Sequence, residues 1–165
     1  FADGHIRYTA SDGAQAKTGF RILNFCEQII PDTQTDMSWV PASWGMKMTL
    51  SRNVPSKIAD CLRAFMARLT LNSGTILADV LKNATFAVHP GGPKIIDSVR
   101  AILELQESQI SESRELLLQR GNMSSATLPH IWKNLLDQNL ASKKIVVSLA
   151  FGPGLTIFGA LFETI

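Results

Sequence analysis

Phe86-Ala87-Val88-His89-Pro90-Gly91-Gly92-Pro93 is the stretch on which the fold turns. A short apolar run that ends in a histidine and breaks on Pro-Gly-Gly-Pro reads as a buried strand, 85–88, delivering an imidazole to the sheet edge. Just beyond it Ile95, Ile96, Val99, Ile102 and Leu103 recur at helical spacing, so a helix is expected over 93–105. Another helical turn or two is expected over 111–120, stopped by Gly121. Gly121-Asn122-Met123-Ser124-Ser125-Ala126 then places a carboxamide ahead of small residues that lead into a longer helix, 124–140, with a kink expected at Pro129. The His89 ring N–H and the Asn122 NH2 are thus two neutral hydrogen-bond donors on rigid elements.

Farther out on the N-terminal side, Asn53 and Pro55 mark a helix start, and Ile58, Cys61, Leu62, Phe65 and Leu69 carry that helix to about residue 70. The segment 37–51 reads as loop followed by strand, with Met46, Met48 and Leu50 at period two. Over 20–30 the side chains alternate Phe20, Ile22, Asn24, Cys26 against Arg21, Leu23, Phe25, Glu27, a strand apolar enough to be covered on both faces. Residues 11–19 have loop composition. Strands over 144–151 and 155–162 close the chain. The order predicts an α/β domain with one mixed sheet and helices packed on it.

The 165 residues suffice for one domain. With 45% apolar and 18% charged residues and a net charge of +2, neither nucleic acid nor an anionic membrane surface is an expected partner. Two distant cysteines make neither a disulfide framework nor a zinc site, and they suit a reducing cytoplasm. No metal is expected. The uncharged run 145–162 approaches the length of a membrane span, but Pro153 between two glycines favours two buried strands.

The His-Pro-Gly-Gly-Pro run, Ser113-Arg114, Gly-Asn-Met-Ser-Ser-Ala and Phe151-Gly152-Pro153-Gly154-Leu155-Thr156 occur in an order and spacing that resemble the second half of a chalcone synthase-like type III polyketide synthase, in the thiolase superfamily. Ile30-Pro31-Asp32 and Leu50-Ser51-Arg52-Asn53-Val54-Pro55 extend the resemblance over nearly the whole chain. It implies the C-terminal half of a thiolase-like fold across 1–165. Phe1-Ala2-Asp3-Gly4 is similar to the strand end at which the first half hands over to the second, so the chain is expected to be a fragment lacking the half that bears the nucleophilic cysteine.

The implied reaction is decarboxylative Claisen condensation of malonyl-CoA onto an acyl-CoA starter, with CoA thioesters as substrates, no further cofactor, and a homodimer expected. Each step places negative charge on a thioester oxygen, which preorganised neutral donors stabilise. The resemblance gives that role to His89 and Asn122, and to His89 the further task of keeping the cysteine as a thiolate. It implies a substrate pocket formed by Met48, Ser124, Gly152, Pro153 and Gly154, with Trp39 nearby, and a CoA approach over Gly91. Ala150 and Phe158 depart from the family pattern, where Gly and Glu are usual. Cys26 and Cys61 read as core residues.

Taken alone, a His at a strand end is more often structural and an Asn after Gly more often a helix cap. Ser124 reads equally well as a small packing residue, and Met48 and Trp39 as core. Two other functions stay open: a β-ketoacyl-acyl carrier protein synthase III-like enzyme, and a non-catalytic dimerising module. His89-Pro90-Gly91-Gly92 departs from the His-Gln-Ala-Asn of the former, whereas Pro129 is a feature shared with it.

Overall fold

The computed structural model of the chain describes residues 1–12, 18–138 and 140–165. The loop reading of 11–19 falls largely on 13–17, outside the described residues.

A four-stranded mixed sheet lies at the centre, formed by β1 (Phe20–Ile29), β4 (Thr85–Val88), β5 (Ile145–Gly152) and β6 (Thr156–Thr164). The strand order is β1-β6-β5-β4, antiparallel except for the parallel β4–β5 pair. A parallel pair needs a long crossover. Here the crossover is helical: α3 (Pro93–Leu103), α4 (Glu107–Arg120), a single 3-10 turn (Ser124–Ala126) and α5 (Thr127–Asp137).

The sheet is covered on two faces by alternating side chains. Val147, Leu149, Ile157 and Leu161 face one way, onto the apolar stripe Ile58, Leu62, Phe65 and Leu69 of α1 (Val54–Thr70). Val146, Ala160 and Phe162 face the other way, onto Ile131, Trp132 and Leu135 of α5. Gly159 of β6 lets α1 approach closely, because a Cβ there would stand 2.6 Å from the Phe65 ring. Each fully buried side chain of this kind contributes about 2 kcal/mol of apolar transfer free energy.

Several expectations are corrected. Residues 37–51 form a hairpin, β2 (Met37–Ala42) and β3 (Gly45–Leu50), separate from the main sheet, so among the described residues there are two sheets and not one. Pro41 is tolerated because a two-stranded ribbon always has an outer edge that needs no donor. Between α1 and β4 lies a further helix, α2 (Leu77–Asn83), too short for a helical period to show in the sequence. The helix before Gly121 spans 14 residues and not one or two turns. Pro129 causes no kink, since it is the third residue of α5, where the N–H has no intrahelical partner to lose. Asn53 precedes α1 without a side-chain cap bond. β1 is an edge strand paired only with β6, and it leaves Ile22, Phe25 and Ile29 exposed instead of covered.

Candidate active site

His89 directly follows β4, and its backbone N–H donates to the Leu149 carbonyl at 2.7 Å, extending the parallel ladder by one residue. The outer edge of β4 is closed by α4. The Val88 N–H donates to Ser113 Oγ at 2.9 Å, so a hydroxyl stands where a neighbouring strand would. The imidazole is therefore carried on a strand tied down on both sides. Burial pushes its pKa below the ordinary value, which favours the neutral ring.

Asn122 sits in the loop between α4 and α5, after Gly121 at φ +72°. The Ser124 N–H donates to Asn122 Oδ1 at 2.8 Å, which fixes which end of the amide is oxygen. Among the described residues no protein group takes a hydrogen bond from the NH2. On the other flank, residues 1–4 form no strand; the Ala2 N–H donates to the Asn122 carbonyl at 2.8 Å instead.

Both side chains open on one cavity of about 1210 Å³ at the carboxyl ends of β4 and β5. Of the residues singled out from the sequence, Met48, Trp39, Gly91, Ser124, Gly152 and Pro153 line it with them. Trp39 and Met48 are direct cross-strand partners in the hairpin, so one rigid element presents both. Gly154 is the correction: it lies off the wall, its N–H donating to the Met37 carbonyl and its carbonyl accepting from Thr33 Oγ1, and it shapes the β5–β6 turn at φ +120°. Gly91 is not demanded by the protein's own packing, since a Cβ there would meet nothing nearer than 3.8 Å.

Sequence reasoning missed the part of the wall given by Leu128, Pro129 and Trp132 of α5, and it missed Arg52 and Lys94. The last two are the only charged side chains on the wall among the described residues, and neither is paired with a carboxylate there. Lys94 belongs to no quoted motif, and Arg52 stands in one without a role assigned to it. Phe158, 44% exposed, packs beside Gly152 and makes that wall apolar.

Neither cysteine lies on this cavity. Cys61 bonds back to the Lys57 carbonyl within α1, and Cys26 lines a separate cavity of about 600 Å³ beside Trp132 and Ser148. Both are half-buried, with thiol pKa values raised by burial, the opposite of an activated nucleophile. Among the described residues no cluster suited to a metal ion occurs, and no helix is long and apolar enough to cross a membrane.

The chain can be set beside known proteins on this geometry. It is 32% identical to the type III polyketide synthase pspB of Penicillium soppii over 87% of its own length and 39% of that protein's. It is 28% identical to type III polyketide synthase A of Arabidopsis thaliana over all of its own length and 43% of that protein's. Among solved structures, 1,3,6,8-tetrahydroxynaphthalene synthase from Streptomyces coelicolor matches with a TM-score of 0.80 at 25% identity, over 90% of this chain and 42% of that one. The type III polyketide synthase domain of Steely1 from Dictyostelium shares the fold, with a TM-score of 0.80 at 23% identity over 87% of this chain and 40% of that one. This chain thus spans about two-fifths of the length of the relatives it matches. Residues 22–165 match the family model described as chalcone and stilbene synthases, C-terminal domain, and the chain belongs to that family.

Proposed function

We propose that these residues are the condensing half of an acyltransferase that joins malonyl-CoA to an acyl-CoA starter by decarboxylative Claisen condensation. A cysteine thiolate from a preceding half attacks the starter thioester carbonyl and expels CoA as its thiolate. Malonyl-CoA then loses CO2, and the electron pair of the broken C–C bond becomes an enolate on the thioester oxygen. That carbanion attacks the acyl-enzyme carbonyl, the cysteine thiolate leaves, and a β-ketoacyl-CoA results.

In this reading the His89 N–H and the Asn122 NH2 donate to the oxygen on which the charge collects. The observation that carries it is their joint opening onto one cavity with mostly apolar walls. Apolar walls exclude water and strengthen such donors. The lowered His89 pKa supports a neutral donor. An imidazolium–thiolate resting pair needs the thiolate's own charge to raise that pKa again. Arg52 and Lys94 suit the phosphates of CoA, and Gly91 a close approach of its pantetheine arm.

The experiment is product mass from malonyl-CoA with short and long acyl-CoA starters, using the longer protein with its preceding half. Products heavier than the starter by whole decarboxylated malonyl units are expected. Product formed from malonyl carrier protein but not from malonyl-CoA would overturn the reading in favour of a carrier-dependent ketosynthase.

A further inference from the structure

Thr127, the first residue of α5, is wholly buried, and its hydroxyl is spent on the loop that carries Asn122. Its Oγ1 accepts from the Met123 N–H at 2.9 Å and donates to the Ser124 carbonyl at 2.8 Å. It also stands 3.5 Å from Asn122 Oδ1. Ser124, between these contacts, has φ +54°, a left-handed conformation that costs a residue with a side chain roughly 1 kcal/mol. So turned, Ser124 lays its carbonyl onto the Thr127 hydroxyl, while the Met123–Ser124 peptide holds the Ser124 N–H on the Asn122 carboxamide oxygen, 2.8 Å away. A strained residue persists only where its surroundings hold it, and the hydroxyl of Thr127 holds both ends of this turn.

We propose that Thr127 is a positioning residue: its hydroxyl locks the Met123–Ser124 turn that pins the Asn122 carboxamide by its oxygen and so directs the NH2 into the cavity. The proposal rests on the reading of Asn122 as a donor. Without the hydroxyl, the Met123 N–H loses its partner and the Ser124 carbonyl keeps only the Thr127 N–H, so the turn loosens and the carboxamide is free to rotate. The donor is then present but no longer preorganised.

The test uses the full-length protein and steady-state decarboxylation of malonyl-CoA. Thr127→Val keeps the shape and removes the hydroxyl; Thr127→Ser keeps the hydroxyl. We expect Thr127→Val to lower kcat roughly tenfold, less than the 10²-fold or more for outright loss of a donor, with KM within about twofold. Thr127→Ser should stay close to the parent. In an Asn122→Ala background Thr127→Val should cost nothing further, because a residue acting through Asn122 has nothing left to position. Ser124→Gly, which adopts positive φ without strain, should restore much of the kcat lost in Thr127→Val, and this pair decides the matter if the valine variant alone folds poorly. Thr127→Val costing as much in the Asn122→Ala background as in the parent would overturn the proposal and leave Thr127 a helix-start residue. An unimpaired Asn122→Ala would overturn the donor reading itself, and this proposal with it.

Discussion

His89 is half-buried, and burial alone lowers its pKa, so the folded chain resists a proton that the unfolded chain takes up near pH 6.5. Where the unfolded state binds more protons, stability rises with pH. The stability tied to the neutral ring is therefore complete above about pH 6.5 and is lost as pH falls below it toward the lower folded value. Denaturant titrations of the parent and His89→Gln between pH 5 and 7.5 should show a slope in the parent that the glutamine variant lacks; equal slopes would mean that the ring is not desolvated. Gly91 gives a second expectation at this scale. A Cβ there meets no protein atom closer than 3.8 Å, so Gly91→Ala should keep its Tm within a degree or two and, on the proposed approach of the CoA arm over Gly91, raise KM for the CoA thioester severalfold. That these two residues and Asn122 come to lie on one cavity wall follows from the runs of breakers and small residues around them, whose backbone needs are visible in the sequence, whereas the roles proposed for them come from the resemblance. That Thr127 braces a turn and that Arg52 and Lys94 stand on the wall is not visible in the sequence, even though Arg52 lies in a quoted motif, since these side chains show their place only once the turn or wall is built around them.

At the scale of elements, the strand that carries His89 lies at the sheet edge and depends on Ser113 of α4 for the Val88 N–H. Ser113→Ala strands that buried donor and should cost roughly 1–3 kcal/mol in chemical denaturation. An unchanged midpoint would show that β4 does not rely on the helix. On the opposite face, Gly159→Ala should destabilise by about 2 kcal/mol, since its methyl would lie 2.6 Å from the Phe65 ring. The periodic elements β4, α1 and α3 were read to within a residue or two, because strong periods and Pro or Gly boundaries fix them. β2, α2 and the start of α5 broke that rule. β2 carries a proline that an outer edge tolerates, α2 has only seven residues, and α5 starts at Thr127 rather than at the expected 124, which puts Pro129 in its first turn and not at a kink.

At the scale of the molecule, the site is a wall rather than an enclosure. The cavity gathers the end of β5, the loop after β4, α3, α5, the start of α1 and the β2–β3 hairpin, yet neither cysteine reaches it, and the chain spans about two-fifths of the length of its relatives. The strand periods reveal which side chains leave the sheet, but not whether anything covers them. That is why Phe25, 75% exposed on β1, reads as buried in the sequence. With Phe158 it flanks the smaller apolar cavity beside Trp132 and leaves apolar surface bare. The isolated 165-residue chain should accordingly self-associate as its concentration rises, and light scattering that finds a strict monomer at high concentration would contradict this.

The central claim, that His89 and Asn122 are a pair of neutral donors to a developing oxyanion, is tested most directly by CO2 release from malonyl-CoA in the longer protein and its His89→Ala and Asn122→Ala variants. Each substitution should slow decarboxylation roughly 10²-fold or more, with malonyl-CoA still bound. Decarboxylation at the parent rate in either variant would contradict the account and return that residue to a structural role.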